Sequence, residues 1–281
     1  VRVDRMYAIG QIYHKKMGVL DSAEEWYRKG LDLDRNETRI LAALKSIHVE
    51  RGEWNEAIQI LQMVEAASRQ LEEKSQCFFE IGRIFEQHLD DKNMAIDYCE
   101  QAIDLWPDNV EAAHILIDVY WNDRQFARAE PLLDLLVERE ANYEPQVAQD
   151  LNFRLGRVAQ ELRKTEKSLL HYRRAYELDS THLPTLEGMG EILVEQEDWD
   201  RAFKIYQTVL VHHRENLDEA RTADIFNRQG IIKLSVGEKR KALDFFRKAL
   251  DVDPQHRPSL LAVANIHEGR GDWEDVVHYK R

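Results

Sequence analysis

Apolar side chains recur along this chain with the spacing of a helix. Leu151, Leu155, Val158 and Leu162 fall four, three and four positions apart, which sets them on one helical face. The same pattern underlies YAIGQIY from Tyr7, FEIGRIF from Phe79, FRLGRVA from Phe153 and EGMGEIL from Glu187, each built around Gly10, Gly82, Gly156 or Gly190. Short turns such as RGEW, QEDW and RGDW follow, then a second helical stretch that ends in LDLDRN, DLWPDN, ELDSTH or DVDPQH. Asp, Pro and polar residues stop the helix there, because proline has no amide proton and its ring clashes with the preceding turn. The pattern predicts antiparallel pairs, a helix A that carries the glycine and a helix B after it.

The register of helix B is set by a small residue followed four positions later by a ring or a large side chain. The series runs Ala23 and Tyr27, Ala57 and Leu61, Ala95 and Cys99, Ala129 and Leu133, Ser168 and Tyr172, Ala202 and Tyr206, Ala242 and Phe246, Val276 and Lys280. Successive intervals are 34, 38, 34, 39, 34, 40 and 34, so every second repeat returns after 72 to 74 residues. A fixed period of this length marks a chain of stacked supersecondary units. The predicted repeats span approximately 3–36, 38–71, 75–108, 110–143, 149–182, 183–216, 223–256 and 257–281, the last incomplete. The extra residues of alternate intervals lie in helix-forming stretches such as QMVEAASRQLEEKSQ, which predict longer helix ends and leave open whether A or B gains the turn. Pro131 lies inside the fourth helix B, where a slight bend is expected.

The third repeat holds Ile81, Gly82, Phe85, Ala95, Ala102 and Pro107, and the seventh holds Gly230, Ala242, Phe246, Ala249 and Pro254. In these residues the chain resembles the tetratricopeptide repeat family, whose unit of about 34 residues carries an apolar-Gly-x-x-aromatic step, then Ala, Phe, Ala and Pro. The resemblance covers essentially the whole chain. It departs most in repeats two, four and eight, where Lys45, Ile117 and Ala264 replace the glycine. It implies an all-α solenoid, a right-handed superhelix of helix pairs. Glycine and the first small residue would let helices A and B approach, and the ring of Tyr27 or Phe246 would fill the wedge they leave. Gly30, Ala102, Ala175 and Ala249 would then admit the next helix A. One pair cannot bury its apolar face alone, so neighbours must stack. The chain stops part-way through its last helix B, which leads us to expect a single array cut from a longer protein.

Composition narrows the function. Only 6 Pro and 12 Gly among 281 residues leave little irregular loop. A net charge of −13 argues against nucleic acid as a partner. No apolar run is long enough for membrane insertion. Cys77 and Cys99 form no CxxC pair and read as free thiols of a reducing compartment. With no charged, apolar leader at Val1, a cytoplasmic location is expected. Neither a P-loop nor a GxGxxG, GxSxG or HExxH motif is present, so no catalytic residue, cofactor or metal is expected. His212, His213 and Glu215 come nearest to a metal cluster, but adjacent histidines on a helix point roughly 100° apart. The basic run Lys239–Lys241 reads as a solvated face or as a phosphate-binding patch.

The candidate site lies on the stripe of helix A that the core does not use. The resemblance implies that this stripe lines a concave groove for an extended or helical peptide. Three positions before the glycine stand Tyr7, Phe79, His114, Phe153, Glu187 and Asn227, and one position after it Gln11, Arg83, Asp118, Arg157 and Glu191, with Trp121 a turn further on. The rings either anchor a partner or pack on the neighbouring helix A. The alternating charges either read a partner's side chains or pair between repeats. Glu187, Glu191 and Glu195 would suit a basic segment, whereas the Lys/Asn/Lys/Arg clamp by which some relatives grip chaperone C-termini is absent. The expected function is a non-catalytic scaffold that binds a protein or peptide. The alternatives are a regulatory or substrate-docking arm of a larger enzyme, or a scaffold that self-associates end to end through its incomplete last repeat.

Overall fold

The computed structural model of the protein describes residues 2–280, apart from the side chains of Asp275, His278 and Lys280. Of the expected pair Val276 and Lys280, only Val276 is therefore described, at 6% exposed. Helices succeed one another in antiparallel pairs, with no strand among the described residues. The first pair is α1 (Arg2–Gln11) and α2 (Leu20–Leu31), joined through one π-helical stretch, Ile12–Met17. Then come α3 (Thr38–Arg51) with α4 (Trp54–Ala67), α5 (Leu71–Gln87) with α6 (Lys92–Leu105), and α7 (Val110–Asn122) with α8 (Phe126–Val137). A 3₁₀ turn, Glu140–Asn142, leads to α9 (Pro145–Glu161) with α10 (Thr165–Leu178) and α11 (Leu183–Glu195) with α12 (Trp199–His213). The series closes with α13 (Glu219–Ser235) and α14 (Lys239–Val252), then α15 (Arg257–Glu268) and α16 (Trp273–Lys280). The architecture is an all-α solenoid. The helices fall into two compact units, Val1–Leu136 and Val137–Arg281.

Within each pair the volumes at the A–B crossing are matched. A Cβ added at Gly156 would meet the Tyr172 ring at 2.7 Å, at Gly190 the Tyr206 ring at 2.9 Å, and at Gly230 the Phe246 ring at 2.5 Å. These three rings are at most 2% exposed. Where the glycine is replaced by Ile117, helix B answers with Leu133 in place of a ring, and both are buried. In the third pair the exchange runs the other way. Cys99 is so small that the backbones close in, and a Cβ at Gly82 would lie 3.0 Å from the Ala95 carbonyl oxygen. Interiors pack at near-crystalline density, so one position's gain in volume is its partner's loss.

The extra turn belongs to helix A. α5, α9 and α13 each have 17 residues, against 14, 13 and 13 in α3, α7 and α11. α8 runs through Pro131 without interruption.

Each A-to-B turn passes through one left-handed residue. Gly18, Gly52, Gly237 and Gly271 occupy it in four turns, and Asp90, Arg124, Arg163 and Glu197 in the others. At three of the glycine turns a basic side chain four residues before this point reaches the acid just after it. His48 Nδ1 lies 2.7 Å from Glu53, Lys233 Nζ 3.1 Å from Glu238, and His267 Nδ1 3.3 Å from Asp272. The contact pins the last turn of helix A to the start of helix B.

Candidate functional site

In the first unit, the candidate residues lie on α1, α5 and α7. Tyr7 is half-buried, its ring 6.1 Å from that of Tyr27 and the Arg39 guanidinium 5.3 Å from its centre. Gln11 is half-buried one turn later. Phe79 is 6% exposed, with the Arg83 guanidinium 5.7 Å from its ring centre. Its ring therefore faces neighbouring helices and offers solvent little. Trp121 is half-buried and edge-on to Phe126 at 6.3 Å. His114 and Asp118 line a hollow of about 650 Å³ whose apolar floor includes Ile96, Ile115 and Val119. Arg83 lines a second hollow of about 330 Å³ with Lys45, Glu80 and Trp54. Lys45 and Glu80 are ion-paired there at 2.6 Å, and the Trp54 indole is stacked on His88 with 3.6 Å between ring centres.

In the second unit, α9, α11 and α13 carry the remaining candidates. Phe153 packs against Tyr172 at 6.3 Å and edge-on to His182 at 5.0 Å. The charged stripe forms a ladder between successive A helices. Arg157 lies 3.7 Å from Glu191 and 2.8 Å from Glu161, Glu191 lies 3.3 Å from Arg228, and Glu187 lies 2.7 Å from Arg221. Gln160 links the rungs, accepting from the Tyr172 hydroxyl at 2.8 Å and donating to Glu191 at 3.2 Å. Burial pushes the Tyr206 phenol up, and its oxygen accepts from Arg228 at 3.0 Å. Two hollows flank the ladder, about 160 Å³ between Glu187, Glu191, Tyr206 and Arg228, and about 600 Å³ between Arg157, Gln160, Glu191 and Glu195. Gln160, Arg221 and Arg228 were missed by the stripe count. Gln160 stands four positions after Gly156, as Trp121 does after Ile117, while Arg221 follows Glu187 by 34 residues and Arg228 follows Glu191 by 37.

Asn227 is 7% exposed and belongs to a different feature. Its Oδ1 accepts from the Ser259 hydroxyl at 3.1 Å, and Ser259 also bonds His256, whose Nε2 lies 2.9 Å from Asp224. Similar polar boxes stand at the entry of α7 and α11. Asn109 accepts from the Ala112 amide at 3.0 Å and donates to Ser75 at 2.8 Å, and Ser75 donates to the Ala102 carbonyl at 2.7 Å. At α11, His182 bonds Thr185 at 2.8 Å. Asn109, His182 and His256 return after 73 and 74 residues, the two-repeat period. Asn109 and His256 cap helix ends that would otherwise leave backbone amides unpaired, and His182 bonds a side chain of the first turn of α11 instead, so the histidines among them serve the fold. Among the described residues no group of three or more His, Cys, Asp or Glu is placed to hold a metal ion. No helix among them is long and apolar enough to cross a membrane.

Stacked antiparallel pairs with glycine at five of the eight crossings and a charged stripe along the A helices define a helical-repeat protein of the interaction-scaffold class. Three tetratricopeptide repeat family models match, one over 3–37, 75–109 and 149–182, a second over 93–149 and a third over 182–255. The chain belongs to the tetratricopeptide repeat family. The stretches outside these matches, 38–74 and beyond 255, contain Lys45 and Ala264, two of the three positions where the glycine is replaced. No curated protein sequence matches the chain. Among solved structures, it is similar to YrrB, a TPR protein with an unusual peptide-binding site, at 21% identity and a TM-score of 0.53, covering 67% of this chain and 91% of that one. It is similar to MamA at 17% identity and a TM-score of 0.50, over 65% and 93% of the two chains. A chain in the structure of Naa15/Naa10 bound to HypK-THB matches at 15% identity and a TM-score of 0.58, with 95% of this chain on 39% of that one.

Proposed function

We propose that the protein is a non-catalytic scaffold whose A-helix stripe binds an extended or helical segment of a partner. The observation that carries this reading is the coincidence of the stripe with hollows. Arg83, His114, Asp118, Arg157, Glu187 and Glu191 each line a hollow, in a family whose members bind proteins. YrrB, similar in fold, has a peptide-binding site. In this reading Trp121 and the exposed edge of Tyr7 supply apolar contact, and the charges set register. Phe79, Phe153 and Gln11 form the wall behind them. A ladder of half-exposed ion pairs is worth only about 0–1 kcal/mol per rung, so a partner can exchange its own charges for a rung at small cost.

Peptides selected from a random display library on the whole chain, then titrated against Asp118→Lys and Glu191→Lys, test the site. Binding at least about tenfold weaker than to the parent chain is expected, equivalent to the loss of one charge-assisted contact. Unchanged affinity in both variants, with helicity intact by circular dichroism, would remove the site from this stripe.

A further inference from the structure

The B helices of the second unit carry a face that the stripe does not use. α12 and α14, with the capping residues that flank them, hold eight Lys and Arg against six Asp and Glu, in a chain of net charge −13. All eight bases are exposed. The run Lys239–Lys241 opens α14, so this is the basic feature of the sequence that the groove leaves unexplained.

An apolar seam runs through this basic region. Lys233 Nζ lies 4.5 Å from the ring centre of Phe203, Phe203 meets Phe245 edge-on at 5.5 Å, and Lys248 Nζ lies 4.8 Å from the Phe245 ring. Beyond it, where α12 and α14 end, a hollow of about 440 Å³ opens, with Leu210, Phe226 and Val252 as its apolar lining. Its charged lining is Arg214 and Lys248, with Asp251 as the one carboxylate. Val211 stands at the lip, 77% exposed, while Phe226 below is 8% exposed under the Arg214 guanidinium. Bases near helix C-termini complement the helix dipole, which accounts for Arg214 and Lys248 taken alone. Dipole complementarity does not call for an open apolar hollow or for a valine left in water beside it.

We propose that this face docks an acidic, amphipathic segment of a partner protein. A large apolar side chain of the segment enters the hollow against Leu210, Phe226 and Val252, and its carboxylates meet Arg214 and Lys248. The charge excess selects an acidic occupant over a basic one. The discrete hollow selects a side chain over a broad charged surface, because a lipid headgroup layer or a phosphate backbone has no single apolar group to insert. The face is carried mainly by α12 and α14, with Phe226 and Lys233 from α13, and it shares no residue with the groove stripe.

The test is fluorescence anisotropy of a short labelled amphipathic peptide of Leu and Glu, titrated with the whole chain at low ionic strength. Arg214→Glu combined with Lys248→Glu is expected to weaken binding at least about tenfold. Val211→Ser is expected to weaken it about threefold, and Trp121→Ala to leave it unchanged. The same peptide with Gln for Glu should bind at least about tenfold more weakly. Equal binding of the Glu and Gln peptides overturns the proposal, as does loss of binding through Trp121→Ala with the charge-reversed variant unaffected, which would seat the peptide in the groove. Co-sedimentation of the chain with phosphatidylserine vesicles, without peptide binding, overturns it in favour of a membrane. The reversed residues are exposed, so a folding defect is not expected, and unchanged circular dichroism checks this.

Discussion

At the residue scale, two glycines outside the left-handed turns, Gly230 and Gly269, are distinguished by the same substitution. Gly230 faces the Phe246 ring, where a Cβ would come within 2.5 Å. Gly269 ends α15 at φ −65°, with nothing nearer to a Cβ than 3.5 Å. Gly230→Ala gains helix propensity of about 1 kcal/mol but must displace a fully buried ring, at about 1–3 kcal/mol, so a net loss of stability of up to about 2 kcal/mol is expected. Gly269→Ala restricts the unfolded chain without strain and should stabilise by about 0.4–1 kcal/mol. Urea denaturation of the two variants beside the parent chain reads both signs. His182 adds a pH dependence. Burial holds its pKa below the ordinary 6.5, so the folded state disfavours the charged ring. The stability this contributes is present above about pH 6.5 and is lost as pH falls below that value, where the unfolded chain takes up the proton more readily. His182→Gln should flatten the acid side of the stability profile measured by thermal unfolding between pH 7 and 5, and an unchanged slope would assign the effect to other groups. The glycines at the crossings were legible in the sequence because their period repeats. The burial of His182 was not, since it depends on the ring of Phe153 from another helix.

At the scale of the helix, the polar boxes at the entries of α7, α11 and α15 tie the fourth, sixth and eighth pairs to the long A helix before each. Asn109 is the clearest case, because one side chain caps α7 and holds Ser75 of α5, which in turn holds Ala102 of α6. Asn109→Ala removes both bonds and leaves the Ala112 amide without its cap. A loss of about 1–3 kcal/mol is expected, with faster amide exchange in the first turn of α7 and the last turn of α6. A loss confined to α7 would show that the Ser75 link carries no stability. The alternation of repeat length was plain in the intervals of 34 and 38 to 40. Its assignment to helix A was not, because residues such as Glu72, Glu73 and Lys74 form helix equally well on either side of a turn. What decides is whether a side chain of the added turn finds a partner, as Ser75 and Lys74 do with Ala102 and Glu65.

Over the whole molecule, charge is unevenly shared. Residues 1–136 hold 26 acids against 16 bases, a net −10, and residues 137–281 hold 26 against 23, a net −3. Self-repulsion opposes the compact state and is screened by salt over a Debye length of about 10 Å at 0.1 M. Raising ionic strength should therefore increase amide-exchange protection more in the first unit than in the second, read by hydrogen exchange with mass spectrometry. Equal changes in the two would mean that local ion pairs such as Lys45–Glu80 already neutralise the excess.

The number of helix pairs, the register of small residue against ring, and the exchange of Gly and Tyr for Ile and Leu at the crossings were all determined by the sequence alone. Each is a nearest-neighbour property, repeated at a fixed interval, so the chain states it several times. Which residues of the A-helix stripe face water was decided only by the tertiary structure. Phe79 and Asn227 turn inward and Asp118 outward from positions three or four apart, because exposure there depends on how far the next pair rotates over the helix. The partners of the charges were decided the same way. Arg157 pairs with Glu191, and Glu191 with Arg228, across three helices whose spacing no single segment encodes.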